Sequence, residues 1–419
     1  MTDKDGHPGR RRLALAALML LIIMAGIYLL PRRPPPPPAT PPSQPSSAPT
    51  VGLRSVQTEA PSIPKPIESV AQVSGDTLDF CGLGKVAVDA HDPFAGYRYL
   101  EGATRKTAQQ WLSALLNNDD TRARAVGLLL EGKIGEESLT MHPMQEQTRD
   151  ELVALAVGAG DPAVYALTLA ACGTYTTQLG GNCQQLSVAE WARLDPDNAM
   201  PWLLLAGQAH GRNDASAESD DFDHAAAAHK MDSYNASLFA YAAPTMPSDA
   251  TALQQWYLTI QATGIDATMR PPLGQALRHC TDSAVQDDHA RAQCIGVAEV
   301  MVNRGATLAD FGLGISLGAR LGWPEQRVRK LREQYDAMIQ VLTEEGDEGE
   351  EDKKGIWSCA VVERGNAFMR QRVQAGELSA LRDQIERSGE APHELAQKHR
   401  EFMDKMRLEA QREETAPVP

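Results

Sequence analysis

The sequence lacks the short motifs that mark many metal enzymes. It contains no H-E-x-x-H zinc signature, and its acidic residues nowhere take the D-x-D-x-D-G spacing of a calcium loop. No stretch alternates apolar and polar residues convincingly between paired turn signals, so we expect no β-sheet. We therefore predict an all-α protein without a catalytic residue, a cofactor or a metal site.

Positive charge is also scarce. The chain has 40 Lys and Arg residues against 55 Asp and Glu residues, which gives a formal net charge of −15. Nucleic acid repels a chain with this balance, so we predict no nucleic-acid partner. Acidic residues are densest in residues 344–352, which we interpret as a solvated loop.

One long apolar run lies near the N-terminus. Residues 13–30 carry no charged side chain, and as a helix they would reach about 27 Å, close to the ~30 Å hydrocarbon core of a bilayer. We predict a transmembrane signal anchor that contacts the lipid bilayer. A cleaved signal peptide is the alternative, although no A-x-A cleavage pattern follows Leu30.

The charges that flank this run predict its orientation. Lys4 and Arg10–Arg12 precede it and outnumber Arg32 and Arg33, which follow it. Because the more positive flank stays inside, residues 1–12 are expected to form a cytoplasmic head. The composition favours a bacterium, so we predict a single-pass inner-membrane protein whose C-terminal body lies in the periplasm.

A proline-rich linker follows the anchor over residues 31–75. Its first 36 residues contain 13 prolines, and proline favours the extended polyproline II conformation. We expect a semi-rigid spacer that lifts the body away from the membrane.

Cysteine usage agrees with export, because the six cysteines are an even number. Six cysteines allow 15 connectivities. Proximity along the chain favours two pairs, Cys172 with Cys183 and Cys280 with Cys294, and leaves Cys81 and Cys359 for a long-range bond. The alternative at the second pair is a zinc site that also uses His279 and His289.

Helix-start signals recur along the first half of the body. Capping boxes of the S/T-x-x-E/Q type begin at Thr107, Thr148 and Ser187, at intervals of 41 and 39 residues. Four positions after the first residue of each box stands a large apolar residue: Trp111, Leu152 and Trp191. A second start signal follows each box, at Asp120, Asp161-Pro162 and Asn198. Repetition at about 40 residues predicts an α-solenoid of helical hairpins.

The third hairpin carries a family resemblance. Its first helix is preceded by the sequence Leu-Asp-Pro-Asp-Asn-Ala at 194–199 and contains Trp202, Leu205 and Ala206; its second helix contains Phe222 and Ala225. This pattern resembles a tetratricopeptide repeat, and the earlier hairpins resemble HEAT repeats as much. The resemblance implies that seven residues pack the repeats: Trp111, Leu152, Trp191, Trp202, Leu205, Phe222 and Ala225.

We accordingly divide the body into a helical-repeat domain, 76–245, and a C-terminal helical region, 246–419. In the second part, Thr307 is expected to cap a helix that runs to Leu321, and Glu325–Leu342 and Pro392–Glu414 carry apolar stripes at helical spacing. The ladder Gly314, Gly318 and Gly322 predicts a close helix crossing.

Two functions fit these features. The first is a membrane-anchored periplasmic adaptor that binds a protein or peptide on the concave face of its repeats, through polar positions such as Gln208, His210 and Asn213. The alternative is an envelope enzyme of the cell-wall glycan hydrolase type, which would use one glutamate as an acid. A Golgi-type anchored protein with the sequon Asn235-Ala-Ser237 fits the same topology.

Overall fold

The computed structural model describes residues 76–88, 95–131, 144–173, 180–280, 287–344 and 357–415. The predicted head, anchor and linker, and all but the first residue of the acidic loop 344–352, lie outside these ranges. Within them, no helix combines the length and the apolar character needed to cross a bilayer.

Fifteen α-helices make up most of the described residues, so the all-α class is confirmed. In chain order they are α1 Ala95–Leu116, α2 Thr121–Glu131, α3 Glu146–Ala159, α4 Pro162–Ala171, α5 Val188–Leu194, α6 Ala199–Gly211, α7 Ala215–Ala227, α8 Leu238–Ala242, α9 Ala252–Thr268, α10 Asp288–Arg304, α11 Leu308–Arg320, α12 Glu325–Glu344, α13 Cys359–Ala375, α14 Glu377–Ser388 and α15 Pro392–Thr415. Short 3-10 segments are Gly181–Gln185, Asn235–Ser237, Ala243–Thr245 and Ala276–Cys280.

One hairpin precedes the helices, and the expectation of no strand is wrong there. β1 (Asp76–Phe80) pairs antiparallel with β2 (Gly84–Val88), and Phe80 lies opposite Gly84. Glycines supply the positive φ that the turn requires, at 78° in Gly82 and 74° in Gly84. The strands are only five residues long, and tertiary contacts hold them: the Cys81 N–H donates to the Trp357 carbonyl at 2.9 Å.

Most of the predicted helix starts are confirmed. Asp161 accepts from the backbone N–H groups of residues 163 and 164 and caps α4, which begins with Pro162. Asn198 caps α6 and Ser187 caps α5. Thr307 and Asp310 form a reciprocal capping box at α11.

Two predicted starts are wrong, because each threonine lies within a helix that begins before it. Thr107 is buried in the middle of α1, which begins twelve residues earlier at Ala95. Thr148 lies in the first turn of α3, and its hydroxyl donates to the Glu131 carboxylate at 2.9 Å instead of capping. The regular interval of about 40 residues is therefore not an interval between helix starts.

From α6 onward, five pairs of helices make the largest contacts, and two of these pairs join helices that are not consecutive in the chain. α6 packs on α7, α7 on α10, α10 on α11, α11 on α12, and α12 on α15. The loops that precede α6 and α11 lie on either side of the segment around Lys230. The Ala199 N–H donates to the Lys230 carbonyl at 2.9 Å, and the Met231 N–H donates to the Arg304 carbonyl at 3.1 Å.

All six cysteines form disulfides, in the predicted pairs: Cys81–Cys359, Cys172–Cys183 and Cys280–Cys294. Three disulfides indicate that this part of the chain folds in an oxidising, extracytoplasmic compartment. The Cys280–Cys294 bond also excludes zinc ligation by these two sulfurs, because zinc binds thiolates.

The crossing of α10 and α11 is close at Gly314, the first glycine of the predicted ladder, whereas Gly318 packs against the Trp323 ring and Gly322 lies beyond the end of α11. A Cβ placed on Gly314 would lie 2.6 Å from the Met301 Cβ and 3.0 Å from the Ala298 carbonyl oxygen. We expect Gly314→Ala to lower the free energy of unfolding by about 1–3 kcal/mol, because it overpacks this contact.

Urea unfolding of the full-length protein measures this effect. Gly102→Ala is the matched control, since Gly102 lies inside α1 and nothing stands within 4 Å of its added Cβ. Alanine there should leave stability unchanged or raise it by up to about 1 kcal/mol. Equal stability of both variants would show that α10 and α11 can separate without cost.

Candidate functional site

The residues that the repeat resemblance singled out lie in the core or at its edge. Trp202 and Leu205 are partly buried. The other five are fully buried: Trp111, Leu152, Trp191, Phe222 and Ala225. The Trp202 indole donates to the Pro196 carbonyl at 2.9 Å and stacks on the His224 ring at 4.1 Å. None of the seven lines the cavities described below.

The polar positions expected on the concave face lie at the end of α6 and in the turn after it, and Gln208 is half-buried there. Asn213 has a φ of 57° in the turn between α6 and α7, and His210 bonds to Glu218. Asn235 of the sequon is only 3% exposed, so the folded chain does not offer it for glycosylation.

A groove does open elsewhere, between α8 and α13. It consists of two cavities of about 300 and 200 Å³, and Phe239, Met369 and Val373 line both. Phe239 and Met369 are buried and Val373 is half-buried, so the floor common to both cavities is apolar. We call this feature the α8/α13 groove.

Polar groups in the larger cavity are mostly bonded to backbone. The Asn366 amide donates to the Ala252 carbonyl at 2.8 Å, and the Gln255 amide donates to the Ala250 carbonyl at 3.0 Å. Arg370, by contrast, is an exposed cation on the lining. This cavity is therefore suited to a ligand that has an apolar group next to an acidic one.

The smaller cavity contains charges that bind each other. Arg372 and Glu377 form an ion pair at 2.9 Å, and their side chains are only 13% and 16% exposed. Glu377 also accepts from the Leu308 N–H at 2.8 Å, which ties α14 to α11. Burial raises the pKa of Asp232, which lines the same cavity, although the Tyr234 N–H opposes this shift by donating to its carboxylate.

A second polar cluster surrounds Glu218 on α7, a buried carboxylate. The Nδ1 atoms of His210 and His279 each lie 3.1 Å from the same oxygen, Glu218 Oε1. The His279 ring stacks on Phe222 at 4.2 Å, and its Nε2 lies 3.1 Å from Gln293 Oε1. The glycan hydrolase alternative needs a buried acid in a pocket. Glu218 is buried but lies in neither cavity of the α8/α13 groove.

Ser219, Asp223 and His289, which lie beside this cluster, do not form a catalytic triad. Ser219 Oγ lies 3.4 Å and Asp223 Oδ2 3.7 Å from the same nitrogen, Nε2 of His289. A triad requires the carboxylate on the other ring nitrogen, where it holds the base towards the nucleophile. Among the described residues, no group of three His, Cys, Asp or Glu side chains has the geometry of a metal site.

The prediction of no catalytic residue overlooks one motif. Residues 314–318 read Gly-Ile-Ser-Leu-Gly, which is the G-x-S-x-G spacing of a nucleophile elbow. The elbow is a sharp strand-to-helix turn, but Ser316 lies inside α11 and its hydroxyl donates to the Gly312 carbonyl at 3.0 Å. The match is therefore not a nucleophile elbow.

The α8/α13 groove and the Glu218 cluster are the two features of the described chain that merit a functional interpretation. Comparison with protein-family models, with curated proteins and with solved structures finds no match for this chain.

Proposed function

We propose that this chain is a membrane-anchored adaptor of the bacterial envelope, which binds a segment of a protein partner in the α8/α13 groove. The observation that carries the proposal is the apolar floor of Phe239, Met369 and Val373, which two adjoining cavities share. A hydrophobic floor bordered by a few polar groups is typical of sites that take an apolar side chain of a ligand.

The remaining parts of the proposal rest on the sequence. Residues 13–30 hold the chain in the inner membrane, and the proline-rich linker 31–75 sets the body at a distance from it. The disulfides agree with a periplasmic body.

We also propose that the body is a solenoid related to tetratricopeptide repeats. Its support is the packing of α6 on α7, α7 on α10, α10 on α11 and α11 on α12, although α8 and α9 lie between α7 and α10 in the chain, together with the adjacent loops around Asn198, Lys230 and Gly305. Stacked helical repeats make contacts of this nearest-neighbour kind and commonly bind extended segments of other proteins.

Affinity capture with the tagged full-length protein in mild detergent tests the proposal. Val373→Glu puts a carboxylate on the groove floor and should reduce the amount of captured partner by at least about tenfold, a loss equivalent to 1.4 kcal/mol. Val157→Glu is the matched control, because Val157 is 51% exposed on α3 and lines neither cavity.

The two variants separate binding from folding when thermal unfolding shows that both are folded. A partner that remains bound to Val373→Glu would contradict the groove as the binding site. Failure to capture any envelope protein with the wild-type chain would contradict the adaptor function itself.

A further inference from the structure

The three disulfides differ in how far solvent reaches them. Cys359 is exposed and Cys81 is half-buried, so their bond lies at the surface of the folded protein. The four cysteines of the other two bonds are at most 1% exposed: Cys172, Cys183, Cys280 and Cys294. A thiolate reduces a disulfide only where it can reach one of the two sulfurs, so access decides which bond reacts first.

The chain around Cys81 leaves room for a reductant. Cys81 directly follows β1, and the adjoining turn carries Leu83, which is 47% exposed. A Cβ added to Gly82 or to Gly84 would meet no atom within 4 Å, so no described segment packs on this turn. The hairpin therefore leaves one side of the bond open to a thiol-bearing molecule.

The other two bonds lie inside the apolar core, and all four of their cysteines belong to the continuous cluster of buried apolar residues. The Cys172–Cys183 bond joins the end of α4 to the 3-10 segment Gly181–Gln185. The Cys280–Cys294 bond joins the 3-10 segment Ala276–Cys280 to α10. A reductant reaches these sulfurs only after the surrounding elements open, which costs free energy that the surface bond does not require.

We propose that Cys81–Cys359 is a reduction site for a dithiol reductant, and that reduction there removes the covalent link between the hairpin and α13 while the other two disulfides stay closed. Cys81 directly follows β1, and Cys359 is the first residue of α13, so the bond joins these two elements. The reaction needs no partner in the α8/α13 groove and is therefore independent of the adaptor function.

The exchange balances in two steps. In the first, a thiolate of the reductant attacks the sulfur of the exposed Cys359, a new S–S bond forms between them, and the Cys81 sulfur leaves as a thiolate. In the second, the other thiolate of the reductant attacks the reductant's own sulfur in this mixed disulfide and releases Cys359 as a thiolate. The reductant ends as a disulfide, the protein gains two electrons, and the two protons of the reductant pass through solvent to the two cysteines.

The contacts that hold the hairpin against the rest of the body do not depend on the sulfurs. Phe80 is fully buried and stacks on the Trp357 ring at 6.4 Å. The backbone N–H of Cys81 donates to the Trp357 carbonyl at 2.9 Å. Because these contacts involve no sulfur atom, we expect the reduced protein to stay folded.

Reduction is nevertheless expected to loosen the hairpin. Strands β1 and β2 have five residues each, and among the described elements each pairs only with the other. A two-stranded hairpin without further support is only marginally stable in water. Once the covalent link is removed, the hairpin should open more often, and the backbone N–H groups of residues 76–88 should exchange faster with solvent.

Timed reduction of the full-length protein with dithiothreitol, a small dithiol, tests the selectivity. Free thiols are alkylated at intervals, and mass spectrometry measures the labelled fraction of each cysteine. Cys81 and Cys359 should be labelled together, at least about tenfold faster than the four buried cysteines. Similar rates for all three bonds in the folded protein would overturn the proposal, as would faster reduction of either buried bond.

The same reaction in urea is the control for burial. Unfolding exposes every sulfur, so the four cysteines that are buried in the folded protein should be labelled at least about tenfold faster than in its absence. An unchanged rate for these four would show that burial does not protect them, and the proposal would be wrong.

Hydrogen exchange measured by mass spectrometry tests the structural consequence. Residues 76–88 should exchange at least about tenfold faster in the selectively reduced and alkylated protein than in the oxidised protein, whereas α10 should be unchanged. The Cys81→Ser/Cys359→Ser double variant should show the same fast exchange without reductant, and dithiothreitol should not raise it further. Equally slow exchange of the hairpin in both forms would overturn the proposal. The labelling experiment uses the wild-type chain alone, so it decides the selectivity even if the double variant does not fold.

Discussion

Removing the Cys81–Cys359 disulfide is expected to lower the free energy of unfolding by about 5–6 kcal/mol. The two cysteines are separated by 278 positions, and a cross-link that closes a long loop removes the most entropy from the unfolded chain. The folded state should survive, because Trp357 keeps its stacking contact with Phe80 at 6.4 Å and its edge contact with Tyr97 at 5.0 Å.

Urea unfolding of the full-length Cys81→Ser/Cys359→Ser double variant measures the loss. The Cys172→Ser/Cys183→Ser double variant is the comparison, since its cysteines are separated by only 11 positions and chain entropy predicts about 3 kcal/mol. Helix content should stay unchanged in the first variant. A smaller effect for the long-range pair than for the short-range pair would contradict the loop-length argument.

Asn198→Ala is expected to cost about 3–4 kcal/mol, which is large for one side chain. Asn198 is fully buried, and its amide donates to the Asp195 carboxylate at 2.8 Å and to the Asp232 carbonyl at 2.7 Å. Its oxygen accepts from the Asp232 N–H at 2.9 Å and from the Met200 N–H at 3.2 Å. Alanine removes the cap of α6 and leaves two backbone groups of the half-buried Asp232 without this partner.

Two further asparagine variants make this prediction specific. Asn198→Asp should be at least as destabilising at neutral pH, because it places a carboxylate oxygen against the Asp195 carboxylate and the Asp232 carbonyl. Acid should partly restore the stability of this variant, because it protonates the new carboxylate. Asn117→Ala is the control on an exposed side chain that bonds to the Ser113 carbonyl, and it should change stability by less than about 0.5 kcal/mol. An Asn198→Ala effect as small as the control would show that the loops around Asn198 and Lys230 hold without this amide.

Local chemistry explains which parts of the fold the sequence predicts. Asp161-Pro162 and Asn198 mark true helix starts because their side chains bond to backbone N–H groups within three residues. Thr148 has the same local pattern but bonds to Glu131, seventeen positions away, so a tertiary contact overrides the capping signal. The sequence does not predict the hairpin for a related reason, since its short strands depend on Trp357 and on the disulfide to Cys359.

Neither functional feature could be predicted from the sequence, because each is assembled from distant segments. The α8/α13 groove joins residues near 239 to residues near 370, and no motif spans that separation. Glu218 and His279 are individually ordinary residues, and only the fold brings them within 3.1 Å. The cysteines are the exception, because proximity along the chain favoured two of the observed pairs and left only Cys81 and Cys359 for the third.

The Cys81–Cys359 bond also has a mechanical consequence. If the N-terminal part of the chain is tethered and the body is pulled through a bound partner, tension enters the body at the hairpin. It then passes from Cys81 across the sulfurs into α13, which lines the proposed groove. The helices between the two cysteines are bypassed by this covalent path, so traction on a captured partner would not unravel them one after another.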